Sequence, residues 1–236
     1  MSKTKKNISS KKTIKSIKPI KSIKPIKCTF NDTDLIKIKK QMIPEKIAIF
    51  MIGSPGSGKT TLKEYFVKSI NKTMKDFINL DPDYIMTQLP KYQQLQKAKE
   101  TKTQSAALCY NSSYVINDVL YTMAQNQNYN IILDGTGKEY KWTAGQIENL
   151  YHLGYTIYIC IIVVDNIDTL IKRAQLRGLD TGRTIVPETI IKINNQIKQN
   201  IPLYKKNKRA KNIIIYNNDT DKPIEIYNKL KLKNKK

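Results

Sequence analysis

From Pro44 onward, short apolar runs alternate with longer stretches in which apolar residues recur at helical spacing. Lys46-Ile47-Ala48-Ile49-Phe50-Met51-Ile52 has no polar alternation and reads as a strand buried on both faces. A glycine-rich segment follows, and helical material is predicted over about 59–70. Asp76-Phe77-Ile78-Asn79-Leu80 reads as a second strand, stopped by Asp81-Pro82-Asp83. The stretch 103–127 contains neither Pro nor Gly and predicts a long helix. Residues 129–133 read as a third strand, stopped by Asp134-Gly135-Thr136-Gly137, and a helix is predicted over 139–152. The run 155–164 is the strongest strand signal in the chain. Helices are predicted over 166–177 and 187–204, the second opened by Pro187 in its first turn, and a last strand over 212–216. This alternation predicts an α/β domain with a mainly parallel sheet covered by helices.

The flanks differ in texture. Residues 1–42 lack an amphipathic period and carry a direct repeat, Lys15-Ser16-Ile17-Lys18-Pro19-Ile20 followed by Lys21-Ser22-Ile23-Lys24-Pro25-Ile26. Proline among like charges favours a solvated chain, so this segment reads as a disordered lysine-rich arm. The folded domain is placed at 43–218, and 219–236 reads as a basic tail whose pattern names no element.

Charge changes the picture only in part. The 236 residues carry a formal net charge of +23, but ten lysines lie in residues 1–30 and five in 229–236. Residues 31–228 hold all 19 acids and keep only +8. Lysine-rich ends can contact nucleic acid without specificity. The abundance of Ile (36), Lys (38) and Asn (20) points equally to an AT-rich coding sequence. The longest apolar run, 157–164, is eight residues where a membrane helix needs about 20, and no apolar segment follows the basic N-terminus. A soluble, cytoplasmic protein is therefore expected. Cys28, Cys109 and Cys160 carry no metal-ligand spacing, and a single histidine, His152, excludes a multi-histidine centre.

Chemistry enters at Gly53-Ser54-Pro55-Gly56-Ser57-Gly58-Lys59-Thr60, which fits G-x-x-x-x-G-K-[ST] at every fixed position, between a predicted strand and a predicted helix. Such a loop curls so that backbone N–H groups point at phosphate oxygens, with the helix N-terminus adding positive potential. Lys59 is placed at the β- and γ-phosphates and Thr60 at Mg²⁺. The candidate nucleotide-binding set is residues 53–60 with Thr61, and the expected ligands are ATP or GTP with Mg²⁺. Asp81, Asp83 and Asp134 follow strand ends, where ligands of parallel sheets sit. Asp83 is the candidate base for an attacking hydroxyl, with Asp81 as its rival and helix capping as the alternative role. Only four arginines stand against 38 lysines, and three of them, Arg173, Arg177 and Arg183, lie within eleven residues. Retained arginine suggests planar, multi-donor contacts, and Gly178–Gly182 reads as a loop bringing Arg183 over the triphosphate. These features favour kinase chemistry over hydrolysis.

The ordered motifs over roughly 44–216 resemble the zeta-toxin family of P-loop kinases: the 53–60 loop, Asn79-Leu80-Asp81-Pro82-Asp83, the strand ending in Asp134-Gly135-Thr136-Gly137, and Thr181-Gly182-Arg183-Thr184-Ile185-Val186-Pro187. The resemblance implies a three-layer kinase-type P-loop domain that phosphorylates a sugar hydroxyl of UDP-N-acetylglucosamine. It implies Asp83 as catalytic base, with Lys59, Arg183 and a second arginine stabilising the transferred group. Arg177 fits that second position, and Arg173, otherwise a nucleotide-binding candidate, fits it as well. Asp118, Asp134, Thr136 and Lys138 match positions that contact the sugar nucleotide. The departures lie on this acceptor side: Asp118 and Asp134 stand where the family has glutamate, and Lys138 where it has an arginine able to grip phosphate bidentately. The expected partner is a small-molecule acceptor, a sugar nucleotide. A polynucleotide 5′-hydroxyl kinase and a non-catalytic nucleotide-dependent nucleic-acid-binding protein remain as alternatives. No antitoxin partner is readable from these residues.

Overall fold

A computed structural model describes residues 45–98, 101–220 and 222–233; the lysine-rich arm at 1–42 lies outside them. Six strands form one sheet: β1 (Ile47–Gly53), β2 (Ile78–Leu80), β3 (Ile131–Gly135), β4 (Thr156–Val163), β5 (Ala210–Asn217) and β6 (Ile224–Asn228). Their order is β2-β3-β1-β4-β5-β6. The first five are parallel, and β6 pairs antiparallel with β5 at the edge. The sheet thus extends into the stretch read from sequence as a basic tail.

The helices are α1 (Lys59–Ser69), α2 (Pro82–Gln88), α3 (Pro90–Lys97), α4 (Lys102–Asn126), α5 (Tyr140–His152), α6 (Ile167–Thr181), α7 (Pro187–Lys205) and the short α8 (Lys229–Lys233). Alternation along β1 sorts the core into two layers. Ala48, Phe50 and Ile52 pack with α4, α5 and α7, while Ile49 and Met51 pack with Leu62, Phe66 and Val67 of α1. All five are almost wholly buried, because a parallel strand covered on both faces has no side to give to water. A smaller cluster of Val164, Leu170, Ala174 and Ile190 joins α6 to α7. Cys160 lies in the core as a free thiol. Among the described residues no helix is long and apolar enough to cross a membrane.

Local signals explain the boundaries. Thr101 and Gln104 cap the start of α4 reciprocally, each side chain accepting from the other's backbone N–H at 3.2 Å. Pro187 opens α7 at its first turn, as its fixed φ favours. One boundary departs from the sequence reading. Residues 178–181 are not a loop but the last turn of α6, which ends at Gly182 with φ 76°. Gly182 is the left-handed residue that stops the helix, and a Cβ there would meet the Lys102 backbone at 2.0 Å. The helix therefore carries Arg177 to its end and releases the chain immediately before Arg183.

Candidate active site

The loop 53–58 turns from β1 into α1 at the carboxyl edge of the sheet. Here β1 has β3 on one side and β4 on the other, which is the switch point of a doubly wound sheet. Gly56 adopts φ 81°, and a Cβ on it would meet the Leu170 carbonyl oxygen at 2.4 Å. The loop is thus seated against α6, and only glycine fits there. Its outer side is pinned by Asn218, whose Nδ2 donates to the Ser57 carbonyl at 2.8 Å. Lys59 folds back over the loop, donating to the carbonyls of Gly53 at 2.7 Å and Ser54 at 3.2 Å. Burial pushes its ammonium below the ordinary lysine range, with Arg177 adding to this and Asp134, Asp81 and Asp83 opposing it.

The two strand ends bring up the acids. Asp81 is the N-cap of α2, its Oδ1 accepting from the backbone N–H of Asp83 at 3.1 Å and of Tyr84 at 3.3 Å. The capping role considered for Asp83 therefore belongs to Asp81, and the Asp83 carboxylate is left for other work. It accepts from Arg177 Nη2 at 2.8 Å and from Arg183 Nη1. Arg183 also lies over the Tyr110 ring, 4.0 Å from its centroid. Burial pushes the Asp81 carboxyl up, helped by the Asp134 charge and opposed by Lys63.

A cavity of about 710 Å³ gathers these groups. Of the residues expected from sequence, Pro55, Lys59, Thr60, Asp83, Asp118, Asp134, Thr136, Lys138, Arg177 and Arg183 all line it. The loop residues Gly53, Ser54, Gly56, Ser57 and Gly58 do not line it, and Thr61 is exposed on α1. Arg173 is directed elsewhere. It does not line the cavity, and its Nη1 donates to the Asn218 carbonyl at 2.7 Å, behind the loop. The geometry thus separates the two arginines that spacing left interchangeable, with Arg177 paired to Asp83 and Arg173 on the outer side of the loop.

The loop after β3 is braced from α7. Tyr204 donates to the Gly137 carbonyl at 2.7 Å, and Asn200 Nδ2 to that of Lys138 at 2.7 Å. Sequence reasoning missed several neighbours. Tyr110, Tyr114 and Tyr121 of α4 line the cavity with Trp142 of α5. The signal was present, since positions 110, 114 and 121 share one helical face with Asp118. Lys63 was also missed, one turn beyond Lys59 and almost fully buried. Lys59, Lys63, Arg177 and Arg183 thus interleave with Asp81, Asp83 and Asp134 at the end of the cavity next to the loop.

A phosphate loop between β1 and α1, acids closing the next two strands and arginines entering from a later helix define a P-loop kinase fold. The family model for Zeta toxin matches residues 32–230, most of the chain. The chain belongs to the zeta toxin family.

Solved structures agree on the fold. A chain from the PezAT chromosomal toxin–antitoxin system of Streptococcus pneumoniae is similar with a TM-score of 0.61 at 20% identity, over 85% of this chain and 79% of that one. The AvrRxo1-ORF1:-ORF2 structure with ATP gives 0.59 at 12% identity, over 77% of this chain and 57% of that one. Its native form gives 0.60 at 11%, over 84% and 65%. This chain spans less than two thirds of the AvrRxo1 chains it matches. A comparison with curated proteins finds no match.

Proposed function

We propose that this protein is an ATP-dependent kinase that transfers the γ-phosphoryl group to a hydroxyl of a nucleotide sugar such as UDP-N-acetylglucosamine. The observation that carries the reading is the meeting of Asp83, Arg177, Arg183 and Lys59 in the cavity that also holds Asp118, Asp134, Thr136 and Lys138. The first group is what phosphoryl transfer needs, and the second can grip a polar acceptor. The fold's likeness to a chain crystallised with ATP supports the choice of nucleotide.

In this mechanism the loop N–H groups and Lys59 hold the triphosphate. Asp83 accepts the proton of the acceptor hydroxyl, and that oxygen bonds to the γ-phosphorus as the bond to the β–γ bridging oxygen breaks, releasing ADP. Arg177 and Arg183 move from the Asp83 carboxylate to the oxygens of the transferred group, where charge is spread in the transition state. Asp118 and Asp134 accept from acceptor hydroxyl or amide N–H groups, while Lys138 meets a phosphate as a point charge. The exposed Trp142 and Tyr114 offer flat faces to a nucleobase.

The donor set fits Mg²⁺. Among the described residues no cluster of three or more His, Cys, Asp or Glu could cage a metal, and Thr60 stands exposed in the first turn of α1. That suits an ion held mainly by phosphate and water, which neutralises triphosphate charge when bound.

The test is transfer of labelled γ-phosphate from Mg-ATP, with UDP-N-acetylglucosamine and a 5′-hydroxyl oligonucleotide as parallel acceptors. Label on the sugar nucleotide, lost in Lys59→Ala and Asp83→Asn, is the expected result. Label on the oligonucleotide alone would replace the acceptor. Because the Streptococcus pneumoniae match comes from a toxin–antitoxin system, a neutralising protein partner is also proposed, to be sought as an inhibitor of this transfer.

A further inference from the structure

We propose that Lys63 is a positioning residue that holds the strand-end carboxylates of Asp134 and Asp81 for phosphoryl transfer, a role that rests on the kinase reading above. Lys63 does not line the cavity, so it acts through other groups rather than on substrate. Its side chain is 3% exposed, beside Asp134 at 6% and Asp81 at 13%. The ammonium lies 2.7 Å from Asp134 Oδ2 and 3.8 Å from Asp81 Oδ2, and donates to Asn79 Oδ1 at 3.0 Å. One lysine thus ties α1 to the ends of both β2 and β3.

The second oxygen of each carboxylate carries the argument further. Asp134 Oδ1 faces Lys59 at 4.0 Å, and Asp81 Oδ1 caps α2 by accepting from the N–H of Asp83 and Tyr84. Each carboxylate therefore gives one oxygen to Lys63 and the other to a group at the reacting centre. Without the ammonium, two buried like charges would face each other with only Lys59 between them and the loop. One would take up a proton or turn toward water, and either change moves Asp83 relative to the phosphate. A buried lysine has a high cost unless paired, and here both carboxylates that pair with it line the cavity.

The test combines Lys63→Met, Lys63→Arg, Asp134→Asn and the Lys63→Met/Asp134→Asn double variant, each compared with the wild type in phosphoryl transfer, ATP titration and denaturant unfolding. Lys63→Met should lower kcat about a hundredfold, the scale of an ångström-sized misplacement, while the Kd for ATP stays within about threefold. Lys63→Arg, which keeps the charge, should recover about tenfold of that loss. In unfolding, the double variant should lose less than the two single losses together, because the uncompensated buried charge is gone. A Lys63→Met enzyme with kcat near that of the wild type overturns the assignment, and so do unfolding losses that simply add. An ATP affinity that falls in parallel with turnover also overturns it, by tracing the defect to the phosphate loop. A wild type inert toward every acceptor instead overturns the kinase reading, and the positioning role of Lys63 with it; non-additive unfolding would then persist and tell the two failures apart.

Discussion

Asp83→Asn separates the two jobs assigned to this corner of the cavity. The substitution keeps the size of the side chain and removes its charge. In the free protein the carboxylate is held between Arg177 and Arg183, whose side chains are 40% and 32% exposed. Ion pairs so open to water contribute at the modest end, about 0.5–1 kcal/mol each. The variant should therefore lose on the order of 1–2 kcal/mol of folding stability. The same energy opposes ATP binding in the wild type, because both guanidinium groups must leave Asp83 to reach phosphate. Released from that competition, Asp83→Asn should bind ATP about five- to thirtyfold more tightly, since 1.4 kcal/mol is tenfold in affinity. Transfer should fall by about 10²–10⁴, the range for loss of a general base. Single-turnover transfer and isothermal titration with ATP read these effects separately. Transfer within about tenfold of wild type would refute the base assignment, and ATP binding weakened tenfold would refute the competition argument.

Other outcomes follow from the same geometry. Gly56→Ala forces a Cβ to 2.4 Å from the Leu170 carbonyl at φ 81° and should cost at least about 1–2 kcal/mol in unfolding experiments while abolishing ATP binding. Lys138→Arg restores a two-pronged phosphate donor and should lower the KM for a sugar nucleotide about tenfold with kcat little changed, as steady-state kinetics would read. Burial raises the Asp81 carboxyl above its ordinary value of 3.8, so the folded state binds the proton more tightly than the unfolded one. Its contribution to stability is therefore most favourable below that value and is lost as pH rises through the raised one. Asp81→Asn keeps a capping side chain and should gain in melting temperature relative to wild type as pH increases from 3 toward 7; a constant difference across thermal scans would contradict this.

Much of the fold was legible because its signals are local. The apolar runs of β1, β4 and β5 announce a sheet buried on both faces, and the helices between them follow from periodicity and from Pro187. The short helices α2 and α3 were not legible, since Asp81-Pro82-Asp83 reads equally well as a turn. The extent of α6 was misjudged because Gly178 and Gly182 look alike in sequence. Gly178 lies within the helix, where a Cβ would crowd the Arg183 carbonyl at 3.2 Å, and only Gly182 takes the left-handed conformation that ends it. Scarcity marked the arginines as making planar contacts, and that holds even outside the cavity. Arg209 grips Glu148 with two nitrogens and lies over the Tyr151 ring.

The sequence by itself determined the phosphate loop, the alternation that builds a parallel sheet around it, and the identity of the acids at the strand ends. These depend on neighbours a few residues apart: glycine backbone freedom, strand burial and helix starts. Only the tertiary structure decided how those groups are shared out. It turned Asp81 into the helix cap and freed Asp83 for two arginines. It sent Arg173 behind the loop toward Asn218 while Arg177 entered the cavity. It also brought Lys63 between two acids that lie 18 and 71 residues away in the chain. Such pairings are set by the order β2-β3-β1, which brings the ends of β2 and β3 beside the loop, and no spacing along the chain encodes them.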